Sequence, residues 1–213
     1  MVSALCAAAM LAACAGPRTP DWQSDAHASL ERFKRHYLEG DSRRAERDFT
    51  HARTRIAATG RLDLAARAEL LRCAVAVASL DFQACDGFER LRADAADEDR
   101  AYAAFLSGDW QDLDVRELPA QYRPIAGART ADARTDALRR IEDPLSRLIA
   151  AGALFRTAGL PPSGVEAAVD TASTQGYRRP LLAFLNVQAA LAEDAADAAA
   201  VETIRRRIEL ILN

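Results

Sequence analysis

Residues 30–56 read LERFKRHYLEGDSRRAERDFTHARTRI, and their spacing decides the fold. Leu30, Phe33 and Tyr37 continue steps of three and four begun by Trp22 and Ala26. That is the single apolar stripe of an α-helix. Gly40-Asp41 interrupts it, since glycine suits the left-handed residue that ends a helix and aspartate caps the next one. Beyond the break, Ala45, Phe49, Ala52 and Ile56 repeat the same steps. Two amphipathic helices joined by so short a turn predict an antiparallel hairpin.

The same grammar extends along the chain. Gly60 closes the second helix, and Asp63 is the expected N-cap of a third, with Leu64, Ala68, Leu71 and Val75 on one face. From Ala74 to Ala78 that helix is apolar all round, which predicts a central position and an end at Leu80. Asp143-Pro144 reads as an N-cap followed by a first-turn proline, with Leu145, Leu148, Gly152 and Phe155 forming a face. Pro161-Pro162 makes a turn, Ser163 and Glu166 have capping-box spacing, and Pro180 opens a helix through Leu181 and Leu185. The last helix shows Val201, Ile204, Ile208 and Ile211, with Arg205, Arg206 and Arg207 on the wet side. No alternating strand pattern competes, so the expectation is all-α. Trp110 to Asp136 lacks a period and reads as a long connection with one short helix, dividing candidate halves 22–109 and 137–213.

Self-similarity adds an architecture. Tyr37-Leu38-Glu39-Gly40-Asp41 recurs as Phe105-Leu106-Ser107-Gly108-Asp109, an offset of about 68 residues, twice the roughly 34-residue tetratricopeptide period. Residues 30–56 resemble that repeat further: Gly40 stands at its inter-helix turn, Ala45 and Phe49 form its small–aromatic packing pair, and Ala52 supplies a second small residue. Gly152, Phe155 and Gly159 echo the small, aromatic and turn positions of its first helix. The opening Trp and closing Pro of the repeat are absent. A copy expected near Leu71–Val75 has no Gly-Asp turn. The resemblance implies a degenerate tetratricopeptide-like α-solenoid of antiparallel hairpins covering 22–213.

Composition narrows the functional classes. Aromatics make up 6% of the chain and the formal net charge is −3 with both signs interleaved, which gives nucleic acid no electrostatic footing. Lys34 is the only lysine, a bias of genome composition rather than of function.

The N-terminus carries a second resemblance. An apolar run from Val2 to Ala13 stops at Leu11-Ala12-Ala13-Cys14 and gives way to Gly16, Pro17 and Pro20. The run is too short to span a bilayer but suits the apolar region of an export signal. It resembles the lipobox of bacterial lipoproteins. The resemblance implies a signal peptide at 1–13, a lipid (palmitate-type) on Cys14 and a tether at 14–21. Ala15 after the cysteine implies the outer membrane, facing the periplasm. No Lys or Arg precedes Val2, where export signals are positive, so a start upstream of Met1 is the expectation that goes with this reading. The alternative is a non-exported helical protein with Cys14 buried.

Export bears on the other cysteines. Cys73 and Cys85 would pair in an oxidising periplasm. From the expected helix end at Leu80, about 10 Å must be retraced to Cys73, and five extended residues reach roughly 16 Å. Such a loop closure is worth on the order of 3 kcal/mol. Two unpaired buried thiols are the alternative.

Chemistry is sparse. His27, His36 and His51 show no metal-ligand spacing, so no metal or cofactor is expected. Nucleophile-elbow, Walker and dinucleotide motifs are absent. Cys73 has Arg72 beside it in sequence, but a helix turns that neighbour to another side. Asp94, Asp97, Glu98 and Asp99, and Glu193, Asp194 and Asp197, read as helix-end carboxylates favourable to the dipole. A glycosidase-like pair among them is the rival reading. The arginine pairs 43–44, 139–140 and 178–179 read as solvated faces. The expected function is non-enzymatic: a lipid-anchored periplasmic scaffold or adaptor gripping envelope proteins. The runner-up is an enzyme acting on envelope polymer through buried carboxylates.

Overall fold

The computed structural model describes residues 20–157 and 159–213. Cys14, the 1–13 segment and the tether up to residue 19 lie outside the described residues. The described residues are helical, without a strand. None of their helices is long and apolar enough to cross a membrane.

The first hairpin is built as its spacing requires. Helix α1 (Asp21–Glu39) ends at Gly40, whose φ of 93° places it in the left-handed region. Asp41 caps α2 (Ser42–Ala57), its carboxylate accepting from the Arg44 amide at 2.9 Å. Ala45, Phe49, Ala52 and Ile56 are all buried. The Phe49 ring meets Phe33 of α1 with centroids 5.1 Å apart.

Helix α3 (Leu62–Val77) departs from expectation at both ends. Its cap position is Arg61, and Asp63 sits inside the first turn, chelated by the Arg61 guanidinium instead of capping. It stops at Val77, not Leu80. Leu80 adopts φ 56°, and the Asp81 amide reaches back to the Ala76 carbonyl at 3.0 Å. This is the left-handed helix end that Gly40 makes, formed here without a glycine. Ala196, at φ 54° before Asp197, makes it again.

After α4 (Asp86–Glu89) comes α5 (Asp97–Ser107), closed by Gly108 at φ 80°. The supposed connection that follows is part of the core. It holds α6 (Arg123–Gly127) and α7 (Ala131–Arg139), and Leu118, Tyr122 and Ile125 are fully buried. Tyr122 stacks on Tyr102 and Phe105, and Trp110 stacks on the other side of Phe105. One apolar cluster therefore runs from Ala66 to Ile204, shared by both candidate halves.

Helix α8 (Pro144–Arg156) begins with the expected Asp143 cap. It is buried continuously from Leu148 to Leu154, not along one stripe, and so shares the centre of the packing with α3. A Cβ on Gly152 would lie 2.1 Å from the Val77 carbonyl, so this glycine is where α8 and α3 approach backbone to backbone. Phe155 is not the packing aromatic of a repeat: it lies at the surface and stacks on Phe82. Helix α9 (Pro162–Gln175) starts on Pro161 without a side-chain cap. Ser163 bonds the Thr135 hydroxyl at 3.0 Å instead of forming a capping box.

Helices α10 (Arg178–Asp194) and α11 (Ala198–Leu212) complete the antiparallel series. Consecutive pairs α8–α9, α9–α10 and α10–α11 pack together, and α10 also meets α1. Val201 and Ile204 of α11 are buried, whereas Ile208 and Ile211 are only half-buried. Arg205 and Arg206 are exposed, and Arg207 is half-buried.

Candidate functional site

The meeting of α1 with α10 creates the feature of most functional interest. A cavity of about 430 Å³ opens between α1, α2 and α3, the 81–86 segment, and the start of α10. Its apolar wall is Phe33, Tyr37, Ala45 and Ala76, with the Cys73–Cys85 pair beside them. Arg53, Arg72, Arg90 and Arg179 face it together with Glu46, Glu69, Asp81 and Asp86. The two signs balance.

Each charge but those at the rim is positioned by a partner. Arg72 of α3 donates to Glu46 of α2 at 2.8 Å, and its guanidinium lies 4.8 Å above the Phe49 ring centroid. Arg53 of α2 pairs with Glu69 of α3 at 3.2 Å. Glu69 is 9% exposed. Room for its carboxylate exists because residue 87 is glycine, where a Cβ would fall 2.2 Å from Oε2. Arg179 crosses from α10 to the first turn: Nε donates to the Tyr37 carbonyl at 2.8 Å and Nη2 to Ser42 Oγ at 2.6 Å. The same guanidinium lies 4.3 Å over the Tyr37 ring. The Tyr37 hydroxyl donates to Asp81 Oδ2 at 3.2 Å. Burial, reinforced by the Asp81 charge, pushes the Tyr37 phenol up to about 12. The Arg90 side chain makes no hydrogen bond among the described residues and stands exposed at the rim beside Asp86 and Gln83.

Cys73, on α3, and Cys85, just before α4, are brought to disulfide distance, with Cα atoms 5.9 Å apart, within the range such a bridge requires. Arg72 borders the same cavity as Cys73, with its guanidinium directed to Glu46 and the Phe49 ring.

The carboxylate runs that offered the rival acid–base reading lie elsewhere. Asp97, Glu98 and Asp99 form the first turn of α5, where Asp99 holds Arg67 of α3 at 3.0 Å. Glu193 pairs with Arg205, and Asp197 caps α11. None of these residues lines the cavity. The cavity's own carboxylates carry no local signal, and Arg179 belongs to a pair whose sequence pattern is that of a solvated face. Tyr37 and Arg179 are 142 residues apart in sequence.

A second polar cluster staples the outer side of the first hairpin. His36 bonds Asp48 at 2.8 Å, Asp48 accepts from Arg32 at 3.0 Å, and Arg32 donates to Ser29, which meets His51 Nδ1 at 2.9 Å. Burial alone would raise the Asp48 carboxyl, but the Arg32 and His36 hydrogen bonds outweigh it and hold it below the ordinary range. Ser29 is fully buried and also donates to the Asp25 carbonyl at 2.8 Å, so it is a structural hydroxyl rather than an accessible nucleophile.

Comparison of the chain with protein-family models, with curated proteins and with solved structures yields no match.

Proposed function

We propose that this chain is a lipid-anchored, periplasm-facing adaptor of the outer membrane that docks a segment of an envelope protein in the α1–α3 cavity. The observation that carries the reading is the cavity's lining. An aromatic and alanine wall offers apolar contact, and arginine–carboxylate pairs at its sides can re-pair with a polypeptide's charges. Arg72 and Arg179 are fixed by ring stacking and paired hydrogen bonds, so little ordering of these two is required on binding. The Leu-Ala-Ala-Cys motif at 11–14 supports the anchor, and the disulfide fits an oxidising compartment. A tetratricopeptide-like solenoid gives the architectural parallel, because stacked hairpins present concave surfaces to peptides. No acid–base role is assigned to the cavity carboxylates, since Glu46 and Glu69 are committed to arginine partners.

Two measurements test the two halves of the proposal. A fatty-acid probe should label the wild-type chain, expressed from its longest start, and not Cys14→Ser; equal labelling removes the anchor. Envelope proteins recovered with the membrane-extracted chain should be lost in Arg90→Glu, a rim change that touches no packing. Recovery unchanged in that variant removes the cavity as the docking site.

A further inference from the structure

We propose that the Cys73–Cys85 disulfide is a redox latch on the wall of the docking cavity. Oxidised, it holds the 83–86 segment against α3; reduced, it lets that wall move away and the cavity lose its shape. The inference rests on the docking reading and adds its control. Four residues of the lining, Gln83, Ala84, Cys85 and Asp86, belong to this one short segment.

The segment is tied down in few places. On its N-terminal side, Asp81 accepts from Tyr37, and Phe82 stacks on Phe155 beneath the Arg156 guanidinium. On its C-terminal side, Phe88 is fully buried. Between these anchors, no amide of residues 83–85 donates to a main-chain carbonyl among the described residues. The disulfide is the strong tie there. Gln83, Ala84 and Asp86 are exposed, so nothing else packs the segment inward. Both cysteines are half-buried and border the cavity, which leaves the bond within reach of an attacking thiolate.

The chemistry is an ordinary two-electron exchange. A thiolate of a dithiol, either a small molecule or a thioredoxin-type protein, attacks one sulfur and forms a mixed disulfide. The other cysteine leaves as a thiolate and takes up a proton. The second thiol of the reductant then closes its own disulfide and releases the remaining cysteine as a thiol. The apolar cluster from Ala66 to Ile204 extends well beyond the two cysteines at its edge, so the latch requires that the helical core outlast the bond.

Hydrogen exchange on the full chain reads the latch directly. The Glu89 and Arg90 amides bond the Cys85 and Asp86 carbonyls at 3.0 and 3.2 Å, so they report whether the segment holds its place. After reduction with a dithiol and alkylation, these two amides should exchange at least about tenfold faster while α2 and α8 amides keep their protection. Recovery of envelope proteins should fall in parallel. The double variant Cys73→Ser/Cys85→Ser should behave as the reduced chain with or without dithiol. Unchanged exchange at 89 and 90 overturns the latch whatever is recovered. Acceleration throughout α2 and α8 also overturns it, since the bond would then be a general staple. Faster local exchange with undiminished recovery shows a moving wall that does not control docking, and overturns it too. Should the oxidised chain recover nothing, the docking reading fails, and the exchange at 89 and 90 decides the latch alone.

Discussion

Two irregular stretches of this chain look alike in sequence and do opposite work. The 81–86 segment and the 110–122 segment both connect helices, and neither shows a hydrophobic period. The second is sealed: Leu118 and Tyr122 are buried, and the Trp110 indole N–H donates to the Phe105 carbonyl at 2.9 Å. The first is open, with exposed Gln83, Ala84 and Asp86 facing a cavity. The difference lies in what each stretch has to pair with. The longer connection is pinned at its two ends, by the Trp110 stack on Phe105 and by the buried Leu118 and Tyr122, whereas the cavity wall is held by one covalent bond between two end anchors. A stretch fixed at so few points is where shape can change without unfolding the rest.

The contrast predicts a large asymmetry in stability. Tyr122→Ala removes a buried ring from a four-aromatic stack and should cost about 3–5 kcal/mol in urea unfolding, whereas Gln83→Ala should stay within about 0.5 kcal/mol. Similar costs at the two sites would erase the distinction between sealed and open connections.

A second expectation concerns the contact around which the sealed side is built. Gly152→Ala forces a methyl group into the Val77 carbonyl, and overpacking of this kind should cost about 1–3 kcal/mol. A neutral effect would mean that α3 and α8 can separate freely. The hairpin turn should respond by a similar amount: Gly40→Val, at φ 93°, should destabilise by about 1–3 kcal/mol.

The smallest expected effect belongs to the open side. Tyr37 has its phenol pushed up to about 12 by burial and Asp81. An acid whose folded pKa is raised keeps its full contribution below its unfolded value near 10 and loses it as pH climbs to the folded value. Wild type should therefore lose about 1 kcal/mol more than Tyr37→Phe between pH 10 and 12, allowing for solvent near a half-buried ring. Parallel pH profiles for the two proteins would show that the Tyr37–Asp81 contact does not form.

How much of this could be read in the residues follows from the same contrast. The α2 face was legible because Ala45, Phe49, Ala52 and Ile56 keep helical spacing and are all buried. Gly40 and Gly108 announced their turns. Leu80 and Ala196 make the same left-handed turn with a side chain present, so spacing alone puts the end of α3 three residues late. The 110–122 stretch is unreadable because a backbone without a regular period buries Leu118 and Tyr122. Of the cavity, only the two cysteines were visible in advance. Its charges come together from α2, α3, the 81–90 segment and α10, and nothing local to Arg179 marks it as a partner of Tyr37. Ile208, whose spacing puts it with Val201 and Ile204, packs against the same core while staying half-buried at its edge.

The most direct test of the docking claim compares the two connections in cells. Gln83 on the cavity wall and, separately, Arg116 on the sealed connection are each replaced by a photo-crosslinking amino acid in the full chain, and adducts are resolved after irradiation. Arg116 is a fair control because its side chain is 88% exposed. A discrete adduct from position 83, absent from position 116 and suppressed by Arg90→Glu, is the predicted result. Equal adducts from both positions, or an adduct at 83 that survives Arg90→Glu, would contradict a partner seated in the cavity.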